Sequence, residues 1–206
     1  MNIWQTLAVF LAAYLIGAIP FGVIAAKICG VDIFKVGSGS TGTTNVIRAC
    51  GKWWGLAVFT LDVLKGTLAT YLGALAFPLA ANPNNSWLIV LCGILAMVGH
   101  SLSVFIKFRG GKSAATGLGI ALVLDWRIFL LAALITLIIR QVTGYQSVAT
   151  LAAGLIAVVL FWFFSPYLAY QLLTTAAVAF VWVRHIPNIQ RLFNGTETKI
   201  TGKNND

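Results

Sequence analysis

The sequence predicts an all-α membrane protein that crosses the bilayer seven times. Of its 206 residues, 59% are hydrophobic and only 9% are charged, whereas a water-soluble domain carries about 25% charged residues. A soluble fold of this length lacks the ionic groups to cover its surface, so lipid must surround most of the chain. The few polar residues lie in clusters between apolar runs, which also excludes a disordered chain, a coiled coil and a disulfide scaffold.

Seven apolar runs provide the predicted spans of what we expect to be a single domain, residues 1–206. The first run has no basic residue before it and exceeds the about 7 to 15 residues of a signal core, which favours a retained helix. Runs four and five are short for a hydrocarbon layer about 30 Å thick. They form either short full spans, which the positions of Arg140 and the basic tail favour, or a re-entrant hairpin that turns at residues 125–127. The runs cover residues 3–26, 54–77, 87–106, 113–124, 128–142, 148–164 and 167–185.

The basic residues predict the orientation of these spans. The net charge of +9 comes from 14 Lys and Arg against 5 Asp and Glu. If the N-terminus lies outside, all of the basic residues except Lys65 and Arg127 fall in inward-facing segments, which predicts a cytoplasmic C-terminus. Topology therefore explains the positive charge, and no nucleic acid partner is expected. The inward-facing residues are Lys27, Lys35, Arg48, Lys52, Lys107, Arg109, Lys112, Arg140, Arg184, Arg191, Lys199 and Lys203.

The first polar cluster, residues 37–48, lies between spans one and two. Its glycines permit positive φ, so that successive N–H groups face one concavity, and its hydroxyls and guanidinium add further donors. Such a loop suits a phosphate, and the alternative is a flexible Gly/Ser linker. The candidate binding residues are Gly37, Ser38, Gly39, Gly42, Thr44, Asn45 and Arg48.

The second polar cluster, residues 99–113, follows span three. Its end resembles a P-loop, but Ile106 stands where that motif requires glycine, which excludes nucleotide hydrolysis by such a loop. Gly110 and Gly111 form a turn that opens a helix near residue 113, with Lys112 beside the positive end of the helix dipole. Together with His100 they predict a second anion site. The alternative is a basic loop that only fixes the orientation of the chain.

Two smaller clusters and one ion pair complete the polar inventory. Ser147, after span five, is either a helix cap or a contact to a substrate hydroxyl. His185, Asn188 and Arg191 follow one another at intervals of three residues where span seven ends, so they share one face of a predicted helical turn. Within span two, residues 62 and 65 form either a functional ion pair or one that merely neutralises itself.

The acidic residues exclude several kinds of chemistry. They are too few and too scattered to hold a metal ion, so no metal and no other cofactor is expected. Neither histidine has an aspartate five residues later, which excludes a His-Asp acyltransferase dyad, and span seven has no lysine for retinal. A site rich in cations and hydroxyls but poor in bases suits substrates that bring their own phosphate and their own activation. The five acids are Asp32, Asp62, Asp125, Glu197 and Asp206.

Residues 37–48 and the three later clusters together resemble the motifs of the bacterial acyl-phosphate glycerol-3-phosphate acyltransferases. The first family motif resembles Gly-Ser-Gly-Asn-x-Gly-Ala-Thr-Asn-x-x-Arg, which this chain matches from Gly37 to Arg48 with departures at Ser40 and Thr43.

The remaining motifs extend the resemblance over nearly the whole chain. The second resembles Gly-His-x-x-Pro-x-Phe-x-x-Phe-Lys-Gly-Gly-Lys-Gly-x-Ala-Thr and begins at Gly99, with departures at Ser103, Arg109 and Ser113. A Tyr-x-Ser step at residues 145–147 and a final motif at residues 185–197 also match. Four motifs in order, each in a predicted cytoplasmic loop, are far more specific than any one of them.

The resemblance implies a seven-helix enzyme that transfers an acyl chain from acyl phosphate to the sn-1 hydroxyl of glycerol 3-phosphate. The products are lysophosphatidic acid and phosphate, in the first step of phospholipid synthesis. It further implies a multi-pass protein of the bacterial inner or plasma membrane with a cytoplasmic site. The implied partners are acyl phosphate, glycerol 3-phosphate, membrane lipid and the soluble enzyme that makes acyl phosphate.

Two alternatives remain at this stage, a transporter for a phosphorylated metabolite and a non-catalytic scaffold. The lack of repeat symmetry and the absence of polar residues on the outer face argue against a transporter. A scaffold gives no reason for the glycine and hydroxyl clusters.

The resemblance also implies roles for individual residues. Arg48 and Lys112 are expected to stabilise the leaving phosphate, and His185 and Asn188 to orient the acceptor, while the donor's phosphate takes the proton. We further expect Ser103, in place of proline, to loosen its loop. Ser113, in place of glycine, is expected to shift the approach of Lys112 to its anion. Ser38 completes the implied catalytic set, and the implied binding residues are Gly37, Gly39, Gly42, Thr44, Asn45, His100, Gly110, Gly111, Ser147, Arg191 and Glu197.

Overall fold

The computed structural model describes residues 1–200, and these fold into ten α-helices. Lys203, assigned above to the inner side, and Asp206 lie outside the described residues. Within residues 1–200 the only β pairing is one isolated bridge between Ser103 and Arg109. The prediction of an all-α chain is thus confirmed. The helices are α1 (Ile3–Ala18), α2 (Phe21–Ile28), α3 (Thr43–Cys50), α4 (Lys52–Ala76), α5 (Asn85–Ser101), α6 (Ala114–Leu124), α7 (Trp126–Thr143), α8 (Gln146–Phe164), α9 (Leu168–Arg184) and α10 (Ile186–Phe193).

The first predicted run overlaps α1 and α2, and each of the other six runs overlaps one long helix, although the number of crossings stays a prediction. By length and composition, four helical stretches within residues 1–200 are long and apolar enough to span a bilayer: Ile3–Ile28, Lys52–Ala76, Trp126–Thr143 and Gln146–Phe164. The pair α9 and α10, bent by 55°, makes a fifth if it counts as one span. Helices α5 and α6, of 17 and 11 residues, extend for only about 26 and 17 Å.

The first predicted span is broken into α1 and α2 at Pro20. Proline has no N–H and its ring clashes with the carbonyl one turn earlier, so the helix cannot continue through it. Two side chains from elsewhere bind the carbonyl groups at this break. The Ser103 hydroxyl donates to the Ala18 carbonyl at 2.6 Å, and the Lys65 ammonium donates to the Ile19 carbonyl at 3.1 Å. The expectation that Ser103 loosens its loop stays a prediction, and the structure adds that its hydroxyl ties the loop to α1.

Helix packing produces a ring of helices with an internal space. Helices α1, α4 and α5 pack against one another on one side, and α3 lies against the start of α4. On the other side α5, α6, α7, α8 and α9 make consecutive contacts, and the ring closes where α9 packs on α5. One end of this ring is filled by a buried apolar cluster that includes Val90, Ile128, Phe161 and Tyr170. The other end meets the loops that carry the polar clusters.

Candidate functional site

A cavity of about 540 Å³ lies inside the ring of helices. All four polar clusters of the sequence contribute to its lining, through residues such as Arg48, Lys112, Ser147 and His185. We call this polar end the mouth. From the mouth the cavity continues between α5, α6, α7, α8 and α9 as a mostly apolar arm that reaches Phe161. The cavity therefore joins a cationic, hydroxyl-rich end to an apolar end.

The first cluster forms a tight loop that is organised by one buried amide. The Asn45 side chain donates to the carbonyls of Ile33, Val36 and Ser40 at 2.9–3.2 Å and accepts from the Ser38 N–H at 3.0 Å. Its polar atoms are thus used inside the loop, which assigns Asn45 to shaping the loop. This residue was predicted as a direct ligand of an anion, and its hydrogen bonds show no capacity left for one.

The glycines of this loop differ in what they do. Gly37 and Gly39 have φ of 55° and 63°, the left-handed region predicted for them, whereas Gly42 has φ −77° and caps the start of α3. Helix α3 then carries Arg48, whose guanidinium donates to the carbonyl of Thr198 at 3.2 Å. The turn places the remaining predicted residues of this loop at the mouth: Ser38, Gly42, Thr44 and Arg48.

The second cluster is folded by close contact between Gly111 and His100. A side chain at residue 111 would overlap the imidazole Nε2 of His100, and one at Gly110 would overlap the His100 carbonyl. The glycines are therefore needed for space, and positive φ occurs instead at Lys107, Phe108 and Ser113. The predicted helix start is confirmed, since α6 begins at residue 114.

Ser113 takes the left-handed conformation that glycine favours, with φ 62°. Its hydroxyl donates to the Met97 carbonyl at 2.6 Å and lies 2.7 Å from the Ser101 hydroxyl, which in turn donates to the Gly111 carbonyl at 3.0 Å. The departure from the family glycine thus keeps the backbone geometry and adds a hydrogen bond to α5. Its effect on the approach of Lys112 to an anion stays a prediction.

Lys112 reaches across the mouth and donates to the Asn188 side-chain oxygen. Burial lowers the pKa of Lys112 to about 8, because the ammonium loses water. The charge of Glu197 raises this pKa, and the like charges of Arg191, Arg48 and Arg184 lower it. At neutral pH most of the population is still protonated. The mouth therefore holds a cation that lacks a full counterion, which is the electrostatic condition for binding an anion.

Glu197 is the centre of the hydrogen-bond network at the mouth. One carboxylate oxygen accepts from Ser147 at 2.9 Å and from Asn188 at 2.6 Å, and the other accepts from Arg191 at 2.7 Å. Its side chain is only 7% exposed. Burial alone would raise its pKa, but the hydrogen bonds from Asn188, Arg191 and Ser147 lower it, so that Glu197 stays ionised.

The backbone after α10 explains how Glu197 reaches this position. Gly195 has φ 69°, which turns the chain back on the helix. The N–H groups of Thr196 and Glu197 then both donate to the Arg191 carbonyl, at 2.8 and 3.1 Å. The predicted shared face of Asn188 and Arg191 is present, since both side chains bind the same carboxylate. Ser147 is not a helix cap, because α8 begins at Gln146 and the hydroxyl faces Glu197.

His185 lies at the junction of α9 and α10, and its side chain is buried. Its Nδ1 lies 2.8 Å from the Val181 carbonyl, and because a carbonyl only accepts, Nδ1 carries the hydrogen. Nε2 is then unprotonated and available as a hydrogen-bond acceptor in a residue that lines the cavity.

The ion pair of span two belongs to a buried group that touches the site. The Lys65 ammonium lies 2.8 Å from Asp62, and His100 Nδ1 lies 3.4 Å from the same carboxylate oxygen. All three side chains are buried. Asp62 and His100 both line the cavity. His100, predicted as an anion ligand, is thus held between Asp62 and the Gly111 turn.

Sequence reasoning missed Arg184, which it counted only toward membrane orientation. The guanidinium donates to the Gly111 carbonyl at 3.0 Å and so joins the end of α9 to the turn before Lys112. Arg140, also counted only for orientation, lines the cavity. Both arginines stand at the ends of spans that flank polar clusters, and this position was the one signal in the sequence that they belong to the site. Among the predicted site residues, Gly37, Gly39, Gly110, Gly111 and Arg191 shape the surrounding loops and network and do not line the cavity.

Comparison with known proteins gives consistent matches over the chain. The family model for glycerol-3-phosphate acyltransferase matches residues 7–195. The glycerol-3-phosphate acyltransferase of a Nostoc species is 41% identical, over 98% of this chain and 96% of that protein. The enzyme of the same name from Geobacillus kaustophilus is 40% identical, over 95% of this chain and 96% of that one.

Solved structures match at a similar level. The crystal structure of PlsY (YgiH), described as an integral membrane glycerol 3-phosphate acyltransferase, superposes in its glycerol 3-phosphate form with a TM-score of 0.87. Its lysophosphatidic acid form gives a TM-score of 0.85. In both cases the sequence identity is 34%, and the match covers 95% of each chain.

Proposed function

The chain belongs to the glycerol-3-phosphate acyltransferase family, and from this premise we propose that it transfers an acyl group from acyl phosphate to the sn-1 hydroxyl of glycerol 3-phosphate. The new ester bond joins the sn-1 oxygen to the carbonyl carbon, and the bond between that carbon and the phosphate oxygen breaks. The products are lysophosphatidic acid and inorganic phosphate. The chain is an all-α, multi-pass membrane enzyme.

The observation that carries this proposal is the composition of one continuous cavity. Its mouth gathers Arg48, Lys112, Ser147, His185 and Asn188, and its arm is lined largely by aliphatic residues of five helices. An acyl phosphate has the same two parts, an anionic head and an apolar chain. The mouth and arm therefore support a substrate of this kind over a small hydrophilic metabolite.

The cations of the mouth support a role in stabilising the leaving phosphate. Acyl phosphate is a mixed anhydride and is already activated, so the protein has to supply position and charge neutralisation. Arg48 and Lys112 are the two cations we assign to this role, with Ser38 as a hydroxyl donor from the neighbouring loop. Lys112 is partly desolvated, and a desolvated cation attracts an anion more strongly than an exposed one.

The acceptor is oriented by the opposite wall of the mouth. We assign this role to His185 and Asn188, supported by Ser147 and Glu197. The unprotonated Nε2 of His185 accepts a hydrogen bond from a glycerol hydroxyl. Asn188 is fixed on both sides, by Lys112 and by Glu197, so its side chain is pre-organised before the acceptor arrives.

Neither carboxylate that lines the cavity is free to take the hydroxyl proton. Two carboxylates line the cavity, and both are engaged, Glu197 with three donors and Asp62 with Lys65 and His100. We therefore assign the proton to a phosphate oxygen of the donor, which gains basicity as the bond to the carbonyl carbon breaks.

The cavity suggests where the donor enters. Leu56 and Phe59 on α4 line it together with Leu137 on α7. Leu56 and Leu137 are at least half exposed on the outside of the bundle. We propose that the donor arrives through this side opening from the inner leaflet of a bacterial inner or plasma membrane. The mouth then faces the cytoplasm, where glycerol 3-phosphate and the soluble enzyme that makes acyl phosphate meet it.

The proposal is tested by incubating the purified, detergent-solubilised protein with acyl phosphate and glycerol 3-phosphate. We expect lysophosphatidic acid and inorganic phosphate in equal amounts. Acyl-CoA and acyl carrier protein loaded with the same chain serve as parallel donors and are expected to give little product. Transfer from a thioester at a rate equal to that from acyl phosphate would overturn the assigned donor, and no transfer from any donor would overturn the reaction.

A further inference from the structure

The apolar arm of the cavity follows α8 and ends at a large buried side chain. Small residues of α8 line the arm at helical spacing, among them Ala153, Gly154 and Ala157. One turn further on, Phe161 replaces the small residues, and its side chain is only 1% exposed. The arm is thus open over several turns of α8 and then closed by a ring.

The length of this arm is set by the helix that forms its wall. From Ser147 at the mouth to Phe161 the helix advances by fourteen residues, about 21 Å at 1.5 Å per residue. An extended alkyl chain advances about 1.3 Å per carbon, from a 1.5 Å bond at the tetrahedral angle. The arm therefore matches a chain of about 16 carbons.

We propose that Phe161 sets the upper length of the acyl chain, at about 16 carbons. This inference rests on the proposed function, because it gives the arm to the donor's chain. Phe161 packs in one buried cluster with Val90, Ile128 and Tyr170, so its ring is held in place by packed neighbours. A longer chain has to bend back toward the lipid or displace a packed core, whereas a shorter chain leaves part of the arm empty.

The expected discrimination follows from the contacts that each methylene makes. Each methylene that enters the arm leaves water for apolar contact, so two carbons change kcat/KM by about fifteenfold. The rate constant kcat/KM is therefore expected to rise with donor length up to the limit and to fall beyond it. The position of that maximum, rather than the activity itself, reports on Phe161.

Two substitutions move the wall in opposite directions. Phe161→Ala opens the end of the arm, and we expect the maximum to move to donors longer by about two to four carbons. Ala157→Leu places a side chain ten residues from the mouth, about 15 Å along α8, and we expect the maximum to move down to about 12 carbons. Phe163→Ala is the matched control, since Phe163 lies on the same helix but is 80% exposed toward the surroundings of the bundle.

The assay measures kcat/KM for a series of saturated acyl phosphates that lengthen by two carbons at a time. The shortest donors do not reach residue 157, so their turnover by each variant shows that the mouth and fold are intact. A wild-type protein that uses no donor would overturn the proposed function. If the wild type transfers acyl chains but shows no maximum, or if Ala157→Leu keeps the wild-type maximum, the length limit is wrong and the function stands. Ala157→Leu decides the question where Phe161→Ala is too unstable to purify.

Discussion

Replacing Glu197 with Gln removes the charge at the centre of the mouth while keeping its shape. The carboxylate accepts from Ser147, Asn188 and Arg191. An amide has a single oxygen, so in one orientation its NH₂ faces Arg191 and in the other it faces Ser147 and Asn188. At least one donor therefore loses its acceptor in either orientation.

The magnitude of this change follows from the bond that is lost. A hydrogen bond to a charged group contributes about 1.5–3 kcal/mol. If losing the hydrogen bond from Arg191 also displaces Asn188, kcat/KM falls by about ten- to hundredfold. The charge has a second effect, because Glu197 is the group that raises the pKa of Lys112 against the nearby arginines. Without it, Lys112 loses its proton at a pH below 8.

The assay is kcat/KM for glycerol 3-phosphate across pH, compared with the matched variant Thr196→Ala. Thr196 is the exposed neighbour of Glu197, so this control is expected to keep both the rate and the pH profile of the wild type. In the Glu197→Gln variant the alkaline decline is expected to begin at lower pH. A variant with wild-type kcat/KM and an unmoved alkaline decline would refute the assignment of Glu197 as the organiser of the mouth.

Three further outcomes are expected. In the wild type, kcat/KM falls as pH rises through about 8, because the charged form of Lys112 is present only below its pKa. Lys112→Arg removes this decline, and Lys112→Ala loses most turnover at every pH. Full turnover by Lys112→Ala would contradict the role of Lys112. Gly111→Ala forces a side chain into His100 and lowers kcat/KM at least about a hundredfold. Val104 is exposed in the same loop, so the control variant Val104→Ala keeps the wild-type rate. Equal rates in the two variants would show that the turn is not needed. Ser113→Gly changes the free energy of unfolding by no more than about 1 kcal/mol, measured by denaturation in detergent, because the relief of about 1–2 kcal/mol of left-handed strain offsets the lost hydrogen bond to the Met97 carbonyl, of about 1 kcal/mol. A loss above about 3 kcal/mol would contradict this balance.

The sequence was most informative where one residue type has one physical reason to be present. The apolar runs located the helices, because in lipid the backbone N–H and C=O groups find hydrogen-bond partners only within their own helix. Gly37 and Gly39 were correctly expected to have positive φ, and Asn188 and Arg191 to share a face. Each of these inferences depends only on neighbours along the chain.

What the sequence could not reveal depends on contacts between distant segments. Arg184 was assigned to orientation alone, because nothing local shows that its guanidinium meets Gly111. Asn45 was expected to bind an anion, since a loop amide looks the same whether it faces ligand or backbone. The closed end of the apolar arm was also not predicted. Nothing in the sequence shows that Phe161, and not another aromatic residue near the end of α8, faces the interior of the bundle.

The break between α1 and α2 has a consequence for how the chain is assembled. The carbonyls at this break accept from side chains that follow much later in the sequence, Ser103 for Ala18 and Lys65 for Ile19, and the Ile19 carbonyl also accepts from the nearby Phe21 N–H at 3.1 Å. Inside a bilayer no water replaces these partners, and each unbound group costs several kcal/mol. During synthesis the Ala18 carbonyl therefore has no side-chain partner until the loop after α5 has been made. The bend gains its full set of hydrogen bonds only when α4 and that loop have joined α1, before the second half of the chain is in place.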